Sequence, residues 1–439
     1  MYLKICFAFI LILIFFSLYS CNKSNQVWIA GWEKTASMNT ARAGGAVVVH
    51  NDVIYMIGGV DGKNFLSSIE SARIQKDGSL SPWEVTSELP EQRGFMSAVV
   101  HENRIYVVGG ANGEYGKNLL NTVVSAEVFD NGKIGSWREE KQKLMLPRRC
   151  SKLIKNGDQL LALGGFGGTL LDSVEVSYFS KDGELSPWQL NNAKLTMPRY
   201  VNSVSRVGDK AFVLGGHHPR KGVGLSEVEY ADLNANPITW HKTNAMASGR
   251  YAFSSFSYQG NLYTAGGISG SEYLNSIEKA RIKFGDSEIS WQKSIDLPLS
   301  MANFTTIVVK EWVYLLGGST RHNYLNSAWR SSINENGSLG YWGSKGEEKA
   351  LQTKDTEKSE KGNLVNKGTV IKNINTEGYT YLLVEEKNEQ VWLAAPKMDV
   401  QNNTHIQYSE GVYMSNFFSK SLNKKFDSII FVGTVRVSK

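Results

Sequence analysis

Ile54-Tyr55-Met56-Ile57-Gly58-Gly59 is an apolar strand that stops on a glycine pair. It returns as IYVVGG at 105–110, LLALGG at 160–165, AFVLGG at 211–216, LYTAGG at 262–267 and VYLLGG at 313–318. Successive copies lie 51, 55, 51, 51 and 51 residues apart, a period that holds four short strands with their turns. Sixteen residues before the first glycine stands an arginine in five copies: Arg42, Arg93, Arg148, Arg199 and Arg250. The sixth copy has Met301 there. A tryptophan follows the second glycine by 23 to 27 residues in all six: Trp83, Trp137, Trp188, Trp240, Trp291 and Trp342. Between them lie alternating stretches such as SIESARI and the turns Asp77-Gly78, Asn131-Gly132, Asp182-Gly183 and Asn336-Gly337. Apolar runs bounded by such turns are strands joined by tight hairpins, so each unit is a four-stranded antiparallel sheet.

A single sheet of this kind cannot cover both its faces. Stacking the units in a ring does so and leaves few edges. The glycine pair suits a strand end where backbones approach closely, and the tryptophan fills the gap that widens between neighbouring blades. Arginine, IYVIGG-type strand and downstream tryptophan together resemble the kelch repeat, over roughly 27–342. The resemblance implies an all-β chain with a six-bladed kelch β-propeller. It does not fix an activity, because one scaffold hosts both binding and catalysis.

The chain begins Met-Tyr-Leu-Lys and continues with an apolar stretch from Ile5 to Phe16, which reads as an export signal over 1–20, short for a membrane span. Leu18-Tyr19-Ser20-Cys21 resembles the lipobox of bacterial lipoproteins, with Cys21 as the lipidated residue and 21–26 as the tether. Several acyl chains hold a protein on a membrane more firmly than one. The expected location is the bacterial cell envelope, with the outer membrane favoured by Asn22 after the cysteine.

The formal charge is +6, or +5 once Lys4 leaves with the signal. The excess is spread out and offers no basic run for nucleic acid. Of three cysteines, Cys6 lies in the signal and Cys21 takes the lipid. Cys150, expected in a strand of the third unit, has no partner for a disulfide and reads as a buried small hydrophobe. A copper radical oxidase of the galactose oxidase type needs a cysteine joined to a tyrosine, and Cys150 lies in no such context.

Two sets of residues are candidates for binding. Arg42, Arg93, Arg148, Arg199 and Arg250 either line one mouth of the channel and attract carboxylates or phosphates, or tie strand ends to acids such as Glu70, Glu175 and Glu278. Loops after the glycine pairs vary most, and loops on a rigid scaffold carry function. The fourth holds His217, His218 and Arg220, the sixth Arg321 and His322, and the second Glu114, Tyr115 and Lys117. No metal set converges, since adjacent histidines supply only part of one, and no cofactor is expected. Trp32 stands in phase with the repeat tryptophans, so it and Trp342 both compete for the outermost strand of the last blade.

After Trp342 the stretch 343–367 mixes lysine with glutamate and has no aromatic residue, as a solvated charged linker does. Residues 368–439 carry five apolar or alternating runs, which predict a small OB-like β-barrel. GYTYLLV at 378–384, VWLAAP at 391–396 and MSNFFSKSLNKKFDSIIFVG at 414–433 resemble small exported bacterial domains with a GYTY, WxAAP and NFxSKxLxxxFD pattern. Trp392, Met414, Phe417, Ser419, Lys420 and Phe426 there are either core or a ligand surface. The expected function is recognition of an envelope protein or glycan through the propeller loops. The alternative is a carbohydrate-directed enzyme of mutarotase or epimerase type, working at the channel mouth with acids, histidines and arginines.

Overall fold

Every glycine pair ends the second strand of its sheet. In the computed structural model the first blade runs Ala46–His50, Val53–Ile57, Ser68–Arg73 and Glu84–Glu88 in that order from the centre outward, all antiparallel. Blades two to five repeat it from inner strands Ser97–His101, Lys152–Asn156, Ser203–Val207 and Ser254–Tyr258. The sixth starts with Thr305–Val309, which returns to neighbour Ala46–His50 and closes the ring. The structure describes residues 26–218, 224–283, 288–344, 366–376, 379–386, 389–409, 411–419, 422–432 and 435–438. The stretch 1–20 expected as a signal, Cys21, Arg220, Lys420, the side chain of Met414 and most of the charged stretch 343–367 lie outside the described residues. Trp28–Trp342 forms one compact unit, and Gly343–Lys439 falls in another.

The second strands are apolar on both sides because each lies between two neighbouring blades. Val53, Tyr55 and Ile57 pack with Ile105 and Val107 of the next blade, while Ile54 and Met56 pack with Tyr314 and Leu316 of the previous one. Each such aliphatic side chain taken out of water stabilises by about 1.5–3 kcal/mol. Polar ties reinforce these apolar seams. Tyr55, Tyr106, Tyr263 and Tyr314 each donate a hydroxyl to the turn glycine of the following blade: Gly132, Gly183, Gly337 and Gly78. Trp137 and Trp291 donate their indole N–H to Ser87 and Asn244 of the preceding blade.

The last blade resolves the competition between Trp32 and Trp342 by using both segments. Glu33–Thr35 pairs with the first half of the third strand, Ala328–Ile333, and Leu339–Ser344 pairs with its end. Gln26–Ala30 then lies outside Leu339–Ser344. Trp32 packs against the core of the last two blades, whereas Trp342 is 61% exposed and meets Trp28 edge to face. Arg330 fastens the seam: its guanidinium bonds Glu33 at 2.7 and 2.8 Å and the Asp77 carbonyl of blade one at 2.7 Å.

In the C-terminal unit the sheet has seven strands, in agreement with a small barrel, where the sequence reading expects five. Its order is Gly411–Ser419, Lys424–Val432, Glu389–Pro396, Tyr379–Glu386, Asn366–Asn375, His405–Tyr408 and Val435–Val437. Only the contact between Glu389–Pro396 and Lys424–Val432 is parallel. The count rises because Gly411–Ser419, which covers part of the motif stretch, was not expected as a strand, and because the last expected run, 428–437, is divided between Lys424–Val432 and the short edge Val435–Val437.

Candidate functional site: the loop face of the propeller

The repeat arginines do not reach the channel mouth. All five have 0% exposure, so as binding residues they are corrected to structural ones. Arg42 donates Nη1 to the Gly58 and Ser68 carbonyls and Nη2 to the Ser68 hydroxyl and the Glu70 carboxylate. Arg148 and Arg250 repeat the set with Glu175 and Glu278, and Arg199 pairs with Glu229 at 2.9 Å. In blade two Val124 occupies the register of the acid, and Glu91 supplies the carboxylate to Arg93 instead, at 2.6 Å. Burial pulls each guanidinium pKa down, and the adjoining glutamate opposes this. The arginine backbone works too: its carbonyl accepts from the second glycine of the preceding blade, as in Gly59 to Arg93 at 2.9 Å and Gly318 to Arg42 at 2.8 Å. At Gly58 and Gly59 φ is +53° and +102°, and a Cβ on Gly58 would lie 2.4 Å from the Arg93 carbonyl oxygen, so no side chain fits.

Two residues beyond each arginine position the chain turns into the channel with positive φ: Gly44, Phe95, Cys150, Val201, Ala252 and Asn303. Gly44, Phe95, Cys150, Ala252 and Asn303 each donate their amide to the carbonyl of the preceding member, at 2.7–2.8 Å. The Val201 amide faces the Cys150 thiol. Cys150 thus belongs to this hoop and not to a strand, two residues before Lys152–Asn156. Burial pushes its thiol up to about 11, far from a ready nucleophile. The hoop surrounds a central well of about 70 Å³.

Outside the hoop the same loop face carries aromatic side chains. Residues just after the arginines and just after the glycine pairs bridge each other, as Arg149 does Phe166 and Tyr200 does His217. Over blades three to five this makes a continuous arc. Arg149 lies 5.1 Å above the Phe166 ring, Phe166 is 5.9 Å from Tyr200, and His217 stands edge-on between Tyr200 and Tyr251 at 5.4 and 5.2 Å. The His217 Nδ1 is buried without a partner. Over blades six, one and two, a groove of about 480 Å³ is lined by Phe65, Phe95, Tyr115, Tyr324, Lys63 and Glu114. Tyr115 is 83% exposed and is held at φ +54° in the long second loop.

The remaining candidates divide. His218 follows His217, half-buried. Arg321 and His322 sit exposed on the sixth blade, where Arg321 donates to the Ser271 carbonyl at 3.1 Å. Among the described residues nothing joins Arg321 or His322 to His217, and no group of three histidine, cysteine or acidic side chains converges. Sequence reading singled out Tyr115 and His217 but missed Phe65, Phe95, Tyr324, Phe166, Tyr200 and Tyr251. Their phase with the arginines and glycine pairs was the available signal. In the C-terminal unit Phe426 and Ser419 are buried. Trp392 stays partly exposed against Phe426, with the Lys424 ammonium 4.1 Å above its ring.

The Kelch motif family matches residues 41–71. Beta-scruin of Limulus polyphemus is 25% identical over 207 residues, 46% of this chain and 22% of its own length. Kelch repeat and BTB domain-containing protein 1 of Horsepox virus is 28% identical over 171 residues, covering 39% and 28%. Kelch-like protein 41b of Danio rerio is 28% identical over 184 residues, covering 40% and 28%. The chain spans less than a third of the length of each of these relatives. The solved structure of YjhT superposes with a TM-score of 0.57 at 14% identity, over 70% of this chain and 98% of that one, a likeness of fold alone.

Proposed function

We propose that this six-bladed propeller is a recognition module, lipid-anchored through Cys21 in a bacterial cell envelope, that binds a protein or glycan on its loop face. The observation that carries the reading is the groove over blades six, one and two. It combines four aromatic side chains with a lysine, an asparagine and a glutamate, the mix of apolar anchors and orienting polar groups that binding sites favour. The groove stands on loops held by a rigid ring, which keeps the ordering cost of binding low. The kelch likeness supports a binding platform. The carbohydrate-directed enzyme is the weaker reading, because no carboxylate or histidine lines the central well to serve as general acid or base. An OB-like C-terminal barrel offering the Trp392–Lys424 surface is a second module in the same proposal.

The test screens the chain from 22 onward, and its Tyr115→Ala and Tyr324→Ala variants, against a glycan panel and envelope extracts. Loss of an aromatic anchor at the centre of a site lowers affinity by about tenfold or more. A ligand that binds both variants as tightly as the wild type refutes the assignment of the groove. Incorporation of labelled fatty acid, lost in Cys21→Ser, tests the anchor separately.

A further inference from the structure

We propose that Trp28 and Trp342 form a membrane-contact platform, through which the last blade rests on the headgroup layer of a phospholipid bilayer. The inference rests on the Cys21 anchor of the proposed function and adds a second contact to it, made by residues that the aromatic groove does not use.

The platform exists because the last blade has one segment too many. Glu33–Thr35 takes the places beside residues 328–330, so Leu339–Ser344 pairs with Ala328–Ile333 only through Leu339 and Gly340. Beyond Gly340 its neighbour is Gln26–Ala30, and Gly31 donates its amide to the Leu339 carbonyl at 3.2 Å. Two strands alone are marginal in water and need a covered face. One face of this pair is covered, since Ile29, Leu339 and Gly343 are buried. The alternation of a strand places Trp28, Gly340 and Trp342 on the other. Gly340 keeps that face flat, because a Cβ on it would lie 2.6 Å from the Trp28 indole. The two indole rings meet edge to face at 5.5 Å.

The exposure of Trp342 is out of pattern. Trp83, Trp188 and Trp240 are buried and Trp137 and Trp291 half-buried, and in the last blade Trp32 fills the core. A paired aromatic surface left in water marks a site of contact. Indole is apolar with one polar N–H, and tryptophan concentrates where hydrocarbon meets water. The position of the pair supplies its occupant. Trp28 lies seven residues after Cys21, a span of about 25 Å when fully extended, so an acylated Cys21 keeps the pair within that reach of the bilayer surface. A contact too weak to recruit a protein from solution becomes intramolecular once a lipid holds it there, and its effective concentration is high. With lipid and platform both engaged, the propeller is held in one orientation on the membrane and does not swing on its tether.

The test joins the Cys21 thiol of the chain from 21 onward to a maleimide-bearing phospholipid, in vesicles of phosphatidylethanolamine with a minor share of phosphatidylglycerol. The other thiol of that chain, Cys150, is buried and does not compete. Lipids brominated near the headgroup end of their acyl chains quench only the indoles they touch, and the tethered wild type is expected to be quenched. Trp342→Phe, a conservative change at an exposed position, is expected to lose much of that quenching, and Trp28→Phe/Trp342→Phe nearly all of it. Acrylamide is expected to reach the pair in the untethered chain and to be kept from it in the tethered one. A tethered wild type that bromolipid does not quench overturns the proposal. So does equal quenching of the double variant, or a pair already sheltered from acrylamide before tethering. Because the lipid is attached chemically, the result is independent of acylation in the cell: failure of fatty-acid labelling refutes the anchor, and failure of bromolipid quenching refutes the platform.

Discussion

Replacing Glu175 by alanine leaves the Arg148 guanidinium fully buried with only carbonyls and one hydroxyl around it. It also removes the acceptor of the Met145 and Leu146 amides. Breaking a buried pair from one side costs about 3–5 kcal/mol. Arg148→Met alone leaves the Gly164 and Ser173 carbonyls short of a donor, at about 1–3 kcal/mol for each group left unsatisfied. The sixth blade contains the apolar alternative, with Met301 at the arginine position and Trp329 opposite Leu315, where blades one, three, four and five keep their acid. Replacing both partners together therefore recovers much of the loss. We expect Arg148→Met/Glu175→Leu to be less destabilised than the sum of its single variants by about 2 kcal/mol or more, as contacting residues couple. Denaturant unfolding followed by tryptophan fluorescence measures the cycle. Additive single effects, or a harmless Glu175→Ala, refute the view that these arginines are neutralised structural ties.

Gly110→Ala places a Cβ 2.7 Å from the Gly94 carbonyl oxygen at φ +102° and is expected to destabilise by well over 1 kcal/mol, read from the same unfolding midpoint; a neutral result contradicts the tight joint. Tyr314→Phe removes the hydroxyl bond from blade six to Gly78 of blade one. It should cost about 0.5–1.5 kcal/mol, whereas Phe212→Tyr, at the equivalent position of a blade pair without that tie, should bring no gain. His101 stacks on Phe179 at 3.9 Å, and its pKa is lowered by burial first and by Lys155 next, against Glu102 and Asp158. With the folded pKa below the unfolded value of about 6.5, the unfolded chain takes up the proton first, so stability falls as pH drops through about 6.5 and levels off below the folded pKa. His101→Phe should lose less stability than wild type between pH 7.5 and pH 5.5, and equal acid sensitivity would count against a neutral buried ring.

The six-fold plan was legible because glycine pair, arginine and tryptophan recur at fixed spacing, and each answers a local need of a blade. What the repeat could not show was how blades meet. Cys150 looked like a strand residue, yet it enters the hoop because the Phe95 carbonyl of the preceding blade, 55 residues earlier, takes its amide. The partner of Arg93 was hidden because Glu91 replaces an acid that elsewhere comes from the third strand. Trp32 and Trp342 were equally in phase, and their segments share Ala328–Ile333, Glu33–Thr35 along its first half and Leu339–Ser344 at its end. Gly411–Ser419 was missed as a strand because its residues read as a motif before they read as an edge to be paired.

The seam at Arg330 and Glu33 joins positions 297 residues apart. While the chain is being made, Glu33–Thr35 has no partner until Ala328–Ile333 emerges, a wait of roughly 15–60 s at about 5–20 residues per second. During that wait five completed blades form an open arc with an apolar sheet face uncovered at each end. Uncovered apolar surface invites association between chains, so the rate of ring closure, more than the strength of any blade, sets how much newly made protein escapes aggregation.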